Sequence, residues 1–168
     1  WLIVPRHPQR VNEVAQSISQ QGFAVSRRSS WGQTKDAQLP FDAPTPTILL
    51  GDSMGEMALY YSMSHVALLG GSFEPLGGQN LIEAAACACP VVMGQHTFNF
   101  AEASEAAVDC GAAFRASNML LAIERAVELA MSKQAHQEVA EAALQFAAQH
   151  GGATDRTVLA VGQWLDAT

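Results

Sequence analysis

Apolar residues fall in short runs separated by stretches of helical period. Leu2–Pro5 is the first such run, closed by its proline. Val11, Val14, Ala15 and Ile18 then recur at the i, i+3, i+4, i+7 spacing of one buried helical face, and Gly22 stands where that helix should end. Phe23–Ser26 reads as a second strand. Residues 29–46, with Ser29, Ser30, Gly32, Pro40, Pro44 and Pro46, read as a loop too rich in proline for a long regular element. Thr47–Leu50 predicts a third strand, followed by a helix from about Met54 to Ser62. Val66–Leu69 is a fourth strand that ends in Gly70-Gly71. Asn80–Ala88 reads as a helix, Pro90–Met93 as a fifth strand, Phe100–Cys110 as a helix and Ala112–Phe114 as a short sixth strand. The last third is helical. Leu120, Ile123, Val127 and Ala130 share one face, as do Val139, Ala142, Ala143 and Phe146, and a final helix runs from an N-cap near Thr154 to Leu165.

Short apolar strands separated by helices specify a parallel sheet covered on both faces, the doubly wound α/β arrangement. The expectation is one Rossmann-like domain over residues 1–168 with a helical C-terminal third. In such folds ligands bind at the carboxyl ends of strands, in the loops that lead into helices.

Composition narrows this. The chain has 168 residues, 49% hydrophobic and 15% charged, enough for one core and against intrinsic disorder. A net charge of −7 disfavours a nucleic-acid partner, because affinity for a phosphate backbone rests on clustered Lys and Arg. The distribution matters more. Residues 1–35 carry Arg6, Arg10, Arg27, Arg28 and Lys35 against Glu13 alone, while the remainder carries four basic against fifteen acidic residues. An anionic ligand should look to the N-terminal third. No run of about 18 apolar residues spans a bilayer, and the start lacks a signal-peptide pattern. Trp1 begins directly on a strand-like run, which reads as a domain cut from a longer protein. Cys87, Cys89 and Cys110 form neither a CxxC pair nor an even disulfide set, so packed thiols in a reducing, cytoplasmic compartment are expected. No His or acidic spacing suits a metal, and none is expected.

Four strand-end loops carry the candidate chemistry. In Pro5-Arg6-His7-Pro8, Arg6 offers a planar fork of donors for a phosphate or carboxylate, although for a lone arginine a solvated surface position is the commoner case. In Gly51-Asp52-Ser53-Met54-Gly55-Glu56, Asp52 or Ser53 can cap the following helix, whose first-turn amides suit an anion. The same residues spell G-x-S-x-G, the nucleophile elbow of a serine hydrolase, with Asp109 and His136 or His150 in the right order behind Ser53. The third loop holds two glycine pairs, Gly70-Gly71 and Gly77-Gly78, that admit a ligand close to the backbone; Asn80 and Glu83 then share a face at the helix start, where they also fit a capping box. The fourth, Gly94 to Phe100, contains His96, a candidate proton carrier or ligand contact.

Read together, Pro-Arg-His-Pro at 5–8, Gly-Asp-Ser-Met-Gly-Glu at 51–56, Gly-Gly-Ser at 70–72, Gly-Gly-Gln-Asn-Leu-Ile-Glu-Ala-Ala at 77–85 and Gly-Gln-His-Thr-Phe-Asn-Phe at 94–100 resemble the C-terminal half of the 3-deoxy-D-manno-octulosonic acid (Kdo) transferases. The motifs run in matching order to about residue 111. The sequence departs from the family at Gln79-Asn80-Leu81-Ile82-Glu83, where His-Asn-Pro-Leu-Glu is usual, and at Gly94-Gln95-His96, where Gly-Pro-His is usual.

The resemblance implies a GT-B glycosyltransferase that attaches Kdo from CMP-Kdo to the lipid A precursor at the cytoplasmic face of the bacterial inner membrane. It implies that Pro5 and Arg6 meet the nucleotide, that Met54, Gly55 and Glu56 line it, and that Asn80, Leu81, Ile82 and Glu83 complete the CMP site. Gly71, Ser72 and Gly78 are candidate donor-site lining. The catalytic general base and the membrane anchor belong to the N-terminal half, so this chain alone is expected to bind CMP or CMP-Kdo weakly and transfer nothing, with no cofactor or metal. The rival readings are the Ser53 hydrolase and a non-catalytic nucleotide-binding or interaction domain.

Overall fold

The structure is a computed structural model and describes residues 1–31, 45–150 and 153–166. Most of the expected loop 29–46 lies outside them. The chain divides into two compact units, Trp1–Tyr60 and Tyr61–Thr168.

In the first unit, β1 (Leu2–Ile3), β3 (Thr47–Leu50) and β2 (Ala24–Arg27) form a parallel sheet in the order β1-β3-β2. Ile3 and Arg27 both stand opposite Leu50, so the three strands end level. Helix α1 (Val11–Gln20) lays Ala15 and Ile18 against fully buried Leu50, with Val11, Val14, Val25 and Ile48 around them, as its periodicity requires. The unit ends inside α2 (Met57–Met63).

The second unit repeats the plan with β4 (Ala67–Leu69), β5 (Val91–Met93) and β6 (Ala113–Arg115), parallel in that order. Its helices are α3 (Ile82–Ala86), α4 (Ala101–Asp109), α5 (Met119–Met131), α6 (Lys133–His150) and α7 (Ala153–Asp166). Val91, Val92 and Met93 are buried throughout, the mark of a strand covered on both faces. Six parallel strands were expected and are found. They pair as two three-stranded sheets among the described residues, a partition that apolar runs of this length do not encode.

Helices α3, α5 and α7 differ from expectation at their ends or faces. Helix α3 stops at Ala86 because Ala88 is left-handed, with φ 56°. The Ala88 amide bonds the Ala85 carbonyl and the Cys89 amide the Ala84 carbonyl, a Schellman closure just ahead of Pro90. Helices α1 and α4 close in the same way around Gly22 (φ 85°) and Gly111 (φ 78°). Helix α5 buries Ala122, Ala126 and Leu129, whereas Leu120, Ile123 and Val127, expected to share the packed face, are exposed. Small residues let α5 approach β4 and β5 closely. Helix α6 packs Val139, Ala143 and Phe146 as expected. Helix α7 begins at Ala153, which places Thr154 inside its first turn and not at its N-cap. No helix among the described residues is long and apolar enough to cross a membrane, and the three cysteines are free thiols.

Candidate functional site

In the first unit the level ends of three parallel strands bring three loops to one sheet edge: Pro5-Arg6 after β1, Arg28–Trp31 after β2 and Asp52–Glu56 after β3. Pro5 is half-buried, while Arg6 is exposed and makes no hydrogen bond recorded among the described residues.

Glu56 is the centre of this edge. Its Oε1 accepts Arg28 Nη2 at 2.6 Å, and its Oε2 accepts the Ser53 hydroxyl and, at 3.2 Å, the Tyr60 hydroxyl. The Ser53 and Tyr60 hydroxyls are themselves 2.5 Å apart. The Ser53 bond chiefly holds the Glu56 carboxyl below its ordinary range; burial opposes it, and Tyr60 and Arg28 add to it. Burial raises the Tyr60 phenol, and the adjoining carboxylate raises it further. The Arg28 guanidinium also stands over the Trp31 ring, 5.5 Å from its centroid, and the indole donates to Ser26 Oγ at 2.8 Å. Asp52 accepts the Ser29 amide at 2.8 Å and the Ser29 hydroxyl at 2.6 Å. Burial raises the Asp52 carboxyl, but these bonds outweigh it and leave it below its ordinary range.

Two expectations are corrected here. The helix expected from Met54 begins at Met57, with the Glu56 carbonyl accepting the Tyr60 amide at 3.0 Å. Residues 53–55 form a bend in which Gly55 has φ 77°, so neither Asp52 nor Ser53 caps the helix. The anion-binding first turn expected at Met54 is therefore absent, and Met54 is 80% exposed. The nucleophile elbow is not assembled either. Ser53 lies four residues ahead of the helix, and its hydroxyl is bound to Glu56 and Tyr60, with no histidine among its recorded partners. His136 Nε2 faces the His65 carbonyl and His150 Nδ1 the Phe146 carbonyl, each at 2.9 Å.

In the second unit the loops after β4 and β5 are sewn together. Ser72 Oγ donates to the Leu69 carbonyl and accepts the Gly94 amide at 2.7 Å, while the Ser72 carbonyl accepts the His96 amide at 2.9 Å. Gly71 and Gly77 carbonyls accept the amides of Gly78 and Asn99. Arg115 fixes the far side through the Gly94 carbonyl, Thr97 Oγ1 and Glu105. The glycines have a packing reason: a β-carbon on Gly77 would lie 2.3 Å from Asn99 Nδ2, and one on Gly94 would lie 2.3 Å from the Ser72 carbonyl oxygen. Gly71 is half-buried and Gly78 buried. Ser72 is fully buried, which gives its side chain a bracing role behind the loop surface.

The capping box expected of Asn80 and Glu83 is not formed. Leu81, 1% exposed, is drawn into the core and becomes the N-cap, so the helix starts at Ile82. Asn80 Oδ1 instead accepts the Ile82 amide at 3.0 Å, Ile82 is half-buried, and Glu83 stands exposed in the first turn. Its charge still reaches buried Tyr61, whose phenol is pushed up to about 12, chiefly by burial and then by Glu83. His96 is exposed on the sewn loop.

Sequence reading missed Arg28, Tyr60 and Arg115. Arg28 and Arg115 sit at strand ends, the same signal that drew notice to Arg6. Tyr60 stands four residues after Glu56, one helical turn away.

No protein-family model matches the chain. Among curated proteins it is 44% identical over 164 residues to the 3-deoxy-D-manno-octulosonic acid transferase of Bordetella pertussis, and 36% identical over 166 residues to that of Haemophilus influenzae. Each match covers 98% of this chain and 37% of the relative, so the chain spans little over a third of their length. A probable mitochondrial Kdo transferase of Arabidopsis thaliana is 39% identical over 101 residues, 59% of this chain and 21% of the relative. Among solved structures, the C-terminal CMP-Kdo binding domain of WaaA from Acinetobacter baumannii superposes with a TM-score of 0.74 at 29% identity, covering 86% of this chain and 72% of that domain. The resemblance carried by the five motifs is thereby confirmed in sequence and in fold.

Proposed function

We propose that this chain, a homologue of the Kdo transferases and of their C-terminal CMP-Kdo binding domain in fold, is the donor-binding domain of a GT-B glycosyltransferase. The whole enzyme would transfer Kdo from CMP-Kdo to a lipid A precursor at the cytoplasmic face of the inner membrane. The observation that supports this reading best is the likeness to a domain that binds CMP-Kdo, over 86% of the chain.

CMP departs as a phosphate monoester, so catalysis by this part of the enzyme is binding, orientation and stabilisation of the leaving group's charge. In this reading, Arg6 supplies the fork of donors for the phosphate from the loop after β1, with Pro5 beside it. Met54, Gly55 and Glu56 line the nucleotide from the loop after β3. The family resemblance adds Asn80, Leu81, Ile82 and Glu83 as nucleotide contacts; at the start of α3, Leu81 is buried and offers its backbone, while exposed Glu83 accepts ribose hydroxyls. Gly71 and Gly78 line the donor, and Ser72 braces them. The general base that deprotonates the acceptor hydroxyl, and the membrane attachment, would reside in the part of the enzyme outside this chain. The 168 residues bind donor or CMP and transfer nothing.

The test is a heteronuclear NMR titration with CMP. Shifts are expected to cluster at residues 5–6, 54–56 and 80–83. A spectrum unchanged at millimolar CMP would leave the reading without support and favour a non-catalytic domain.

A further inference from the structure

Glu56 is held more firmly than a nucleotide-lining side chain requires. Tyr60 is 2% exposed, and its ring lies under Gly51, where an added β-carbon would come within 3.0 Å of it. The ring is packed away from solvent, so its hydroxyl is presented from a buried anchor. Ser53 is tied to that anchor, and both hydroxyls meet Oε2 of Glu56 while Arg28 meets Oε1. The charged neighbours are otherwise engaged: Asp52 by Ser29, and Arg27 by Asn12 at 2.9 Å. Yet the Glu56 side chain remains 25% exposed at the strand-end edge. A buried scaffold thus presents an outward-facing carboxylate in one orientation.

An ionised carboxylate only accepts hydrogen bonds, and its two oxygens offer about four lone-pair directions. The two hydroxyl protons and the Arg28 guanidinium leave room for at least one more donor. A phosphate brings only acceptors and negative charge, and is repelled. The groups of a nucleoside that fit are O–H and N–H donors. Resting on the donor-binding reading above, we propose that Tyr60 and Ser53 are positioning residues that aim Glu56 as the acceptor for an O–H or N–H of the nucleoside, with the nucleotide's phosphate turned away from it.

Two measurements on the chain separate this inference from the reading beneath it. The first needs no ligand: the Glu56 carboxyl carbon is followed by NMR against pH in the wild type, Tyr60→Phe and Ser53→Ala. The wild type should titrate below an ordinary glutamate, and each variant higher, because each loses a donor that favours the charged form. Tyr60→Phe keeps the buried ring, so the fold is retained. Identical curves overturn the positioning role whatever CMP does. The second is calorimetry with CMP. Glu56→Gln and Tyr60→Phe should weaken binding by about three- to tenfold, with the acid-side loss of Tyr60→Phe beginning at higher pH than in the wild type. A wild-type penalty for 2′-deoxy-CMP that disappears in Glu56→Gln assigns the donor to the ribose, and a penalty for UMP that disappears in Glu56→Gln assigns it to the cytosine amine. Wild-type affinity in Glu56→Gln overturns the acceptor role, and no CMP binding by the wild type overturns the donor-binding reading and with it the acceptor role.

Discussion

Ser72 Oγ accepts the amide of Gly94 at 2.7 Å with both residues buried, and the same hydroxyl donates to the Leu69 carbonyl. One side chain therefore satisfies a donor on one loop and an acceptor on another. Ser72→Ala leaves the Gly94 amide unpaired away from water and takes one donor from the Leu69 carbonyl, which should cost about 1–3 kcal/mol. Urea denaturation of the second unit checks this, and amide exchange at Gly94 and His96 should quicken in the variant. A loss below about 0.5 kcal/mol would mean that water or a shifted loop replaces the hydroxyl.

Ala88 does for α3 what Gly22 and Gly111 do for α1 and α4, but with a β-carbon in the left-handed region at φ 56°. Ala88→Gly should relieve that strain and stabilise the chain by about 1 kcal/mol, although glycine's added freedom in the unfolded chain offsets part of the gain. Gly111→Ala should destabilise by a similar amount. Opposite shifts of melting temperature in the two variants are the expected result, and shifts of one sign in both would contradict the closure read from the hydrogen bonds.

The strands were legible because a strand covered on both faces needs an uninterrupted apolar run, and Thr47–Leu50 and Pro90–Met93 are such runs. Helix ends and faces were less so. The start of α2 turns on Gly55 adopting φ 77°, a choice that glycine permits and sequence does not announce. Helix α5, from Met119 to Met131, has apolar residues on two faces, and periodicity cannot tell whether the large or the small side faces the sheet. At the candidate site, Glu56 and Ser53 were visible as motif residues. Their partner Arg28 was hidden at the mouth of a loop read only for its prolines, because the pairing depends on β2 lying beside β3. The glycines of the 70–78 loop drew attention as ligand clearance, and the structure shows that Gly77 also clears Asn99.

Acid should loosen the first unit. The carboxyls of Asp52 and Glu56 both sit below their ordinary values of 3.8 and 4.5 in the folded chain. A group with a depressed folded pKa stabilises fully above its ordinary value and loses that stabilisation as pH falls through the folded one. Stability is therefore expected to hold from neutrality to about pH 5 and to fall below it. Asp52→Asn should flatten part of that fall while lowering stability at neutral pH. Chemical denaturation at stepped pH measures both effects, and a wild-type profile flat to about pH 3 would rule out the linkage.

Arg6 and Arg28 occupy the same sheet edge in different states, and this decides which is free for a phosphate. Arg28 is bound to Glu56 at 2.6 Å and stacked on Trp31, whereas Arg6 is exposed with no recorded bond among the described residues. A guanidinium already neutralised by a carboxylate attracts an anion weakly, so the donor-binding proposal assigns the phosphate to Arg6. Arg6→Ala should abolish measurable CMP binding in calorimetry. A charge-assisted pair lost in this way is worth about 1.5–3 kcal/mol, roughly ten- to hundredfold in affinity. An exposed side chain contributes little to folding, so the variant should denature as the wild type does. Arg28→Ala should do the reverse: it frees Glu56, lets the carboxyl's pKa rise toward its ordinary value, lowers the stability of the chain at neutral pH and flattens part of the fall in acid, while CMP affinity is retained. Unchanged CMP affinity in Arg6→Ala, with affinity lost in Arg28→Ala, would transfer the phosphate role to Arg28 and require its pair with Glu56 to open when nucleotide binds.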